Sequence, residues 1–270
     1  MLSIVSLVFR AKEYFEPDER DEVSQMRLAV IGSAGSYPAP ASACSSYLLQ
    51  HDGYQLLIDA GNGSMSNLYN FTTPGHLDGV FLSHPHVDHI ADFVGIYHYR
   101  QFACVPERKL DLYAGVETVD ALGRLLGSDL GDTVNINIVE PSKIFKIGPF
   151  EATSELMAHP VQTYGLRLTA KGKSIAYSAD TGPCESLEVL SHKADLFLCE
   201  STWIEESETY PKDLHMTVTQ AVGFALRGEV GKLLLTHIAY PNSPFVALAK
   251  ARELGARNVE LAFDLEEHSI

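Results

Sequence analysis

Basic residues are scarce in this chain: Lys and Arg number 20 against 35 Asp and Glu, a net charge of −15 over 270 residues. Nucleic-acid backbones are held by clustered Lys and Arg, so this composition argues against an extended nucleic-acid surface. A small anionic substrate stays compatible, because bound divalent cations would attract it. Cysteine is sparse as well. Cys44, Cys104, Cys184 and Cys199 form no Cys-x-x-Cys pair, which reads as reduced thiols in a cytoplasmic protein rather than a disulfide framework. No apolar run exceeds strand length, so no transmembrane helix and no membrane partner is expected. Residues 1–9 are apolar but short, and no basic region precedes them, so they make no signal peptide. Linkers of Pro, Gly and Ser, simple repeats and low-complexity tracts are missing too. The expectation is a loosely ordered N-terminal extension over 1–25, charged from residue 10 onward, and one domain over 26–270. Met26 directly precedes the first strand-like segment and competes with Met1 as the start.

What the chain does have is a concentration of metal-ligand residue types. Residues 84–89 read His-Pro-His-Val-Asp-His, at the end of the apolar run Gly79–Ser83. Neutral imidazole and carboxylate are the ligands of zinc and related divalent ions at hydrolytic centres. His84 and His86, two apart in an extended segment, point the same way. Asp88 and His89 follow where a helix begins, so one short segment can serve two ions. Other apolar runs finish on residues of the same kind: Asp59, His159, Asp180, Glu200 and His237. Continuous apolar runs of this length suit strands buried on both faces. Sites in layered α/β proteins lie where such strands give way to loops.

Strand-like segments fall near 27–31, 45–50, 54–58, 79–83, 110–113, 134–139, 150–157, 164–170, 173–179, 195–199, 232–236 and 258–262. Helical segments fall near 63–70, 90–102, 115–127, 184–192, 217–228 and 244–255. Strands and helices interleave, and the early strands come in pairs. The expected class is α/β, with two mixed sheets packed together and helices outside. The Ser-, Ala- and Pro-rich stretch 32–46 reads as a loop over the site.

The chain resembles the metallo-β-lactamase-fold hydrolases, and within them the phosphodiesterase branch that includes tRNase Z and small cyclic-nucleotide phosphodiesterases. The resemblance runs from about Met26 to about Phe263. It is carried by the ordered set Ile58-Asp59-Ala60-Gly61, Ser83 to His89, Ala158-His159-Pro160, Ser178-Ala179-Asp180-Thr181-Gly182, Cys199-Glu200-Ser201-Thr202, Leu214-His215-Met216-Thr217 and Leu235-Thr236-His237. It implies a four-layer αββα sandwich whose two halves are equivalent, an equivalence that motif spacing does not reveal. It also implies two divalent metals, with zinc placed first and manganese and iron open. His84, His86 and His159 would hold one metal. Asp88, His89 and His237 would hold the other, with Asp180 bridging. Asp88 could also accept a hydrogen bond from the nucleophile. In this branch a His in a His-x-Thr context protonates the leaving oxygen and a strand-end Glu orients it, which implies His215 and Glu200. Asp59 reads as a support of the ligand loop.

The function implied is dinuclear, metal-dependent phosphodiester hydrolysis of a small substrate, a cyclic nucleotide above all. A tRNA 3′-end endonuclease is the runner-up. That family usually carries an arm between its third and fourth metal motifs, whereas Asp180 follows His159 by 21 residues, an interval two strands already fill. A thioester or lactam hydrolase has no evident use for Glu200 and His215, and a non-enzymatic metal-binding protein would be expected to lack a ligand. His51, His76, His98, His192 and His268 read as structural. Trp203, Tyr164 and Gly165 could border the pocket. Oligomeric state stays open, a homodimer included.

Overall fold

A computed structural model describes residues 25–103, 108–127, 130–211 and 214–270. The expectations about an N-terminal extension and the chain's start fall outside these residues. One seven-stranded sheet contains β1 (Arg27–Gly32), β2 (Ser46–His51), β3 (Tyr54–Ile58), β4 (Gly79–Leu82), β5 (Leu110–Ala114), β6 (Val134–Ile138) and β14 (Glu267–Ser269), in the order β14-β1-β2-β3-β4-β5-β6. The second contains β7 (Ile144–Ile147), β8 (Phe150–Leu156), β9 (Tyr164–Ala170), β10 (Lys173–Tyr177), β11 (Leu196–Glu200), β12 (Lys232–Thr236) and β13 (Val259–Leu261), in the order β13-β12-β11-β10-β9-β8-β7.

The halves equivalent in topology are now visible. From β14 to β3 the neighbours are antiparallel, and from β3 to β6 they are parallel. From β7 to β10 they are antiparallel, and from β10 to β13 parallel. Parallel neighbours need crossover segments, and the helices supply most of them. These are α1 (Ser64–Leu68), α2 (Val87–Ile90), α3 (Phe93–His98), α4 (Val116–Leu126), α5 (Glu185–Ser191), α6 (Val218–Arg227) and α7 (Pro244–Glu253).

Strand alternation explains the apolar runs. In β11, Leu196 and Leu198 face the space between the sheets, where Val30, Tyr47, Phe81, Phe150 and Leu166 also meet. Phe197 and Cys199 face the other way, under α5, α6 and α7 with Leu187, Val222 and Ala247. In β3, Leu56 and Ile58 point inward while Leu57 packs below Phe93, Ile96 and Leu122. Both faces of each sheet are covered, which gives the four layers αββα and leaves the strand ends as the place for polar chemistry.

Three elements depart from the sequence expectation. β7 and β14 were not expected. They are short edge strands whose hydrogen-bond partners, β8 and β1, define them more than their own residues do. The single helix expected over 90–102 is divided into α2, α3 and a π-helical turn over Tyr99–Ala103. The chain also leaves β10 at Tyr177, short of Asp180, and bends at Ala179 with φ +51°.

Candidate dinuclear metal centre

The ligand-type residues converge at one end of the sandwich, each delivered by a strand terminus. Asp59 follows β3, His84 follows β4, Asp180 lies just past β10, Glu200 ends β11 and His237 follows β12. Asp59 and His237 both adopt φ +57°, a left-handed turn that non-glycine residues adopt at a cost and that surrounding structure must hold in place. His86 caps α2, which carries Asp88 and His89. Gly61 permits this arrangement: a Cβ there would lie 2.0 Å from the Asp88 carbonyl oxygen. The bare backbone lets α2 dock against the β3 turn, where Ala60 N–H donates to the His89 carbonyl at 2.8 Å. Gly35 does the same for the loop after β1, its Cα lying too close to the His237 carbonyl to carry a side chain.

The seven residues expected to ligate form two groups, and Glu200 and His215 form a third with His237. In the first, atoms of His84, His86, His159 and Asp180 lie within 4.8 Å of one another, and in the second those of Asp88, His89, Asp180 and His237 do. Asp180 belongs to both, as expected of a bridge. All seven residues expected to ligate are thus brought together.

Hydrogen bonds behind the rings determine which nitrogen of each carries a proton. Ser83 Oγ donates to Asp59 Oδ2 at 2.8 Å, so it can only accept from His84 Nδ1 at 2.9 Å, and His84 Nε2 is left as a lone pair. Thr202 Oγ1 donates to Glu200 Oε2 at 2.7 Å and accepts from His237 Nδ1 at 2.9 Å, with the same result for His237 Nε2. His159 Nδ1 donates to the Leu214 carbonyl at 3.0 Å, and His89 Nδ1 donates to Asp59 Oδ2 at 2.7 Å. Four imidazoles therefore turn an Nε2 lone pair into the site.

Those lone pairs have poor partners within the protein. His84 Nε2 and His159 Nε2 both lie 3.1 Å from His86 Nδ1, whose one proton can serve only one of them. His237 Nε2 lies 3.3 Å from Asp88 Oδ2 and 3.3 Å from Asp180 Oδ1, and accepts only a long hydrogen bond from Ser36 N–H at 3.3 Å. His89 Nε2 and Asp180 Oδ1, both buried, are 3.2 Å apart without being aligned as a hydrogen bond, and neither makes a hydrogen bond elsewhere. Converging lone pairs and carboxylates call for positive charge between them. Nitrogen and oxygen donors without thiolate suit zinc, manganese or iron. The residues fit two divalent cations.

The electrostatics agree. Burial pushes the pKa of His84, His86 and His159 below the usual histidine value and keeps them neutral, the form that ligates. Asp180 and Asp88 are held below the ordinary carboxylate range, because His237 and His89 outweigh the burial that opposes it. For His89 burial opposes charge, yet Asp180 and Asp59 dominate and raise its pKa well above normal.

Two carboxylates organise the surroundings in the same manner. Asp59 accepts from Ser83 N–H at 2.7 Å and from the Tyr177 hydroxyl at 2.7 Å, besides Ser83 Oγ and His89. Glu200 accepts from Thr181 N–H at 2.6 Å, Met216 N–H at 3.2 Å and His215 Nδ1 at 3.0 Å, besides Thr202 Oγ1. The sequence suggested that Glu200 orients His215. Its reach through Thr202 to His237 was not legible, because a Thr two residues past a strand end is no signal by itself. His215 is placed by the capping box of α6, in which Thr217 and Gln220 exchange hydrogen bonds. Its ring lies 5.5 Å from that of His159 and 5.3 Å from that of His237, centroid to centroid.

Known proteins resemble this chain. Residues 54–238 match the beta-lactamase superfamily domain. Rv1339 of Mycobacterium tuberculosis, an uncharacterized protein, is 36% identical over 225 residues, covering 80% of this chain and 82% of that protein. YhfI of Bacillus subtilis, which bears the name probable metallo-hydrolase, is 32% identical over 218 residues, 80% of this chain and 88% of its own. The crystal structure of YhfI covers 92% of this chain and 100% of that one, with a TM-score of 0.83 at 28% identity. The short form of human tRNase Z shares the fold, with a TM-score of 0.74 at 20% identity over 90% of this chain and 99% of its own. With the domain matched over most of its length and the ligand residues gathered at one end of a four-layer sandwich, the chain belongs to the metallo-β-lactamase superfamily of hydrolases.

Proposed function

We propose that this protein hydrolyses a phosphodiester in a small substrate, a cyclic nucleotide above all, with two divalent cations, zinc first among them. His84, His86 and His159 hold one, Asp88, His89 and His237 the other, and Asp180 serves both. When bound, such cations supply Lewis acidity that makes water nucleophilic near neutral pH and offsets charge on a phosphoryl oxygen.

The observation that carries the reading is His215 on Glu200. Glu200 is 1% exposed and holds the His215 Nδ1–H at 3.0 Å. Burial works against a charged ring there, but Glu200, with Asp180 and Asp88 behind it, holds the His215 pKa up at about 9. The Glu200 carboxylate, in direct contact with Nδ1, favours the protonated ring. With Nδ1 committed to Glu200, the proton it can deliver is on Nε2. Cleavage of an unactivated phosphodiester expels an alkoxide, which benefits from such an acid. Water oxygen bonds to phosphorus, its proton passes to Asp88, the P–O bond to the leaving group breaks, and His215 protonates the departing oxygen. A thioester or a lactam makes less use of this pair.

A small substrate is favoured over tRNA by the segment between His159 and Asp180. β9 and β10 are joined through Lys171 and Gly172 alone, with Ala170 opposite Lys173. No inserted arm interrupts them, and the net charge of −15 gives no general attraction to RNA. The test is a hydrolysis panel on metal-loaded protein: 3′,5′- and 2′,3′-cyclic nucleotides, bis(p-nitrophenyl) phosphate, precursor tRNA, a thioester and a β-lactam. Fastest turnover of a cyclic nucleotide is expected. Efficient cutting at one tRNA 3′ position would put the endonuclease first, and turnover confined to the thioester or lactam would discard phosphodiester chemistry.

A further inference from the structure

Trp203 is the chain's one tryptophan, and it stands beside the general acid. Its backbone pairs with the strand-like turn that carries His215: Trp203 N–H donates to the Met216 carbonyl at 3.2 Å, and Val218 N–H donates to the Trp203 carbonyl at 2.9 Å. The indole meets the His215 ring edge-on, with centroids 5.4 Å apart and planes at 86°. The indole also stacks on Tyr210, at 4.4 Å and 9°. Together they wall a cavity of about 390 Å³ that His215 also lines. That volume lies within the range of small-molecule sites, roughly 300–1,000 Å³.

The rest of the lining is informative. Pro183 and Pro211 add rigid apolar surface, and Glu206 and Glu208 place carboxylate acceptors at the rim. None of the described lining residues is Lys or Arg. The described lining offers no cation to a second phosphate. It offers an aromatic wall for a flat ring and acceptors for the ring's amino donors. The cavity lies on the side of His215, where the leaving part of the substrate must sit if His215 protonates the departing oxygen.

Resting on the phosphodiesterase reading, the geometry points to the Trp203–Tyr210 pair as a nucleobase platform that selects a purine cyclic mononucleotide. The base packs on the aromatic wall while the single phosphate lies at the metal centre. Trp203 is thus a specificity-determining residue, and stacking contributes to binding rather than to the chemical step.

The test uses the full chain, metal-loaded. Trp203 fluorescence, excited where adenine does not absorb, is titrated with adenosine 5′-monophosphate and with ribose 5-phosphate, which lacks the base. Saturable quenching by the nucleotide alone is expected. Kinetically, Trp203→Ala should raise KM for 3′,5′-cyclic AMP about 5- to 150-fold, the span of one base–aromatic stack. Its preference for cyclic AMP over a cyclic ribose phosphate without base should fall by the same factor. Trp203→Phe should restore most of both. Absence of quenching, or equal quenching by ribose 5-phosphate, overturns the platform, as does an unmoved KM in Trp203→Ala. Failure of the two readings is distinguishable. Quenching by the nucleotide in a protein that hydrolyses no cyclic phosphate refutes the phosphodiesterase and keeps the platform. Cyclic AMP turnover without quenching does the reverse.

Discussion

Asp59→Asn is the sharpest probe of how the centre is held, because it changes one atom in a residue outside both ligand groups. Asp59 Oδ2 accepts from His89 Nδ1, Ser83 Oγ and the Tyr177 hydroxyl, and Oδ1 accepts from Ser83 N–H. An asparagine keeps the oxygen that Ser83 N–H needs and puts an NH2 where three donors pointed. The two hydroxyls can rotate and accept, but a ring N–H cannot. His89 is relieved only if its proton moves to Nε2, 3.2 Å from Asp180 Oδ1. There it occupies the lone pair a cation requires. Ser83 Oγ, now accepting from the amide, turns its hydrogen toward His84 Nδ1 and disturbs that ring in the same way. Loss of such outer partners costs about 10–100-fold in metal affinity, and both cations should feel it. The fold weakens as well. Charge-assisted hydrogen bonds are about twice as strong as neutral ones. Reducing four of them costs roughly 3 kcal/mol, which lowers the melting temperature of a domain this size by roughly 6–12 °C. Competition with a chromophoric chelator gives the affinities, and nitrogen-detected NMR of the imidazoles gives the tautomers. Tyr177→Phe, which removes one donor and leaves His89 paired, should keep both affinities. Two cations bound by Asp59→Asn as tightly as by the wild type, with His89 still protonated on Nδ1, would refute the relay.

Three further outcomes follow from the same geometry. Asp180→Ala should lose both cations, since Asp180 belongs to both groups, whereas His86→Ala should lose chiefly the one it shares with His84 and His159. Elemental analysis checks this against an expected two metals per chain, and a wild-type value of zero after metal addition would refute the centre. His215→Ala should lose about 10²–10⁴-fold on a cyclic nucleotide, whose alkoxide leaves poorly, and much less on an activated p-nitrophenyl ester, with metal content unchanged. Equal losses on both substrates would make His215 a positioning residue. Glu200→Gln should do more than mimic His215→Ala, because its amide would confront the donors Thr181 N–H, Met216 N–H and Thr202 Oγ1, the last of which also orients His237.

The sequence by itself determined the class of fold and which ligand-type residues stand at the strand ends. β3, β9 and β12 have the limits expected of them, because apolar residues fill their covered positions and that pattern stops where the cover stops. The seven ligand-type residues were legible for a related reason: imidazoles and carboxylates at strand ends have few structural uses, and their order along the chain is distinctive. Tertiary structure decided what depends on distant partners. β14 is a strand because β1, more than 200 residues earlier, pairs with it. The equivalence of the halves lies in strand order and direction, which leave no periodic trace in residue identity. Each ligating nitrogen was settled by a group elsewhere: Leu214 behind His159, Thr202 behind His237, Asp59 behind His89. A histidine in a sequence has two interchangeable nitrogens. Only the hydrogen bond it makes in the folded chain decides which one carries the proton and which one faces the metal.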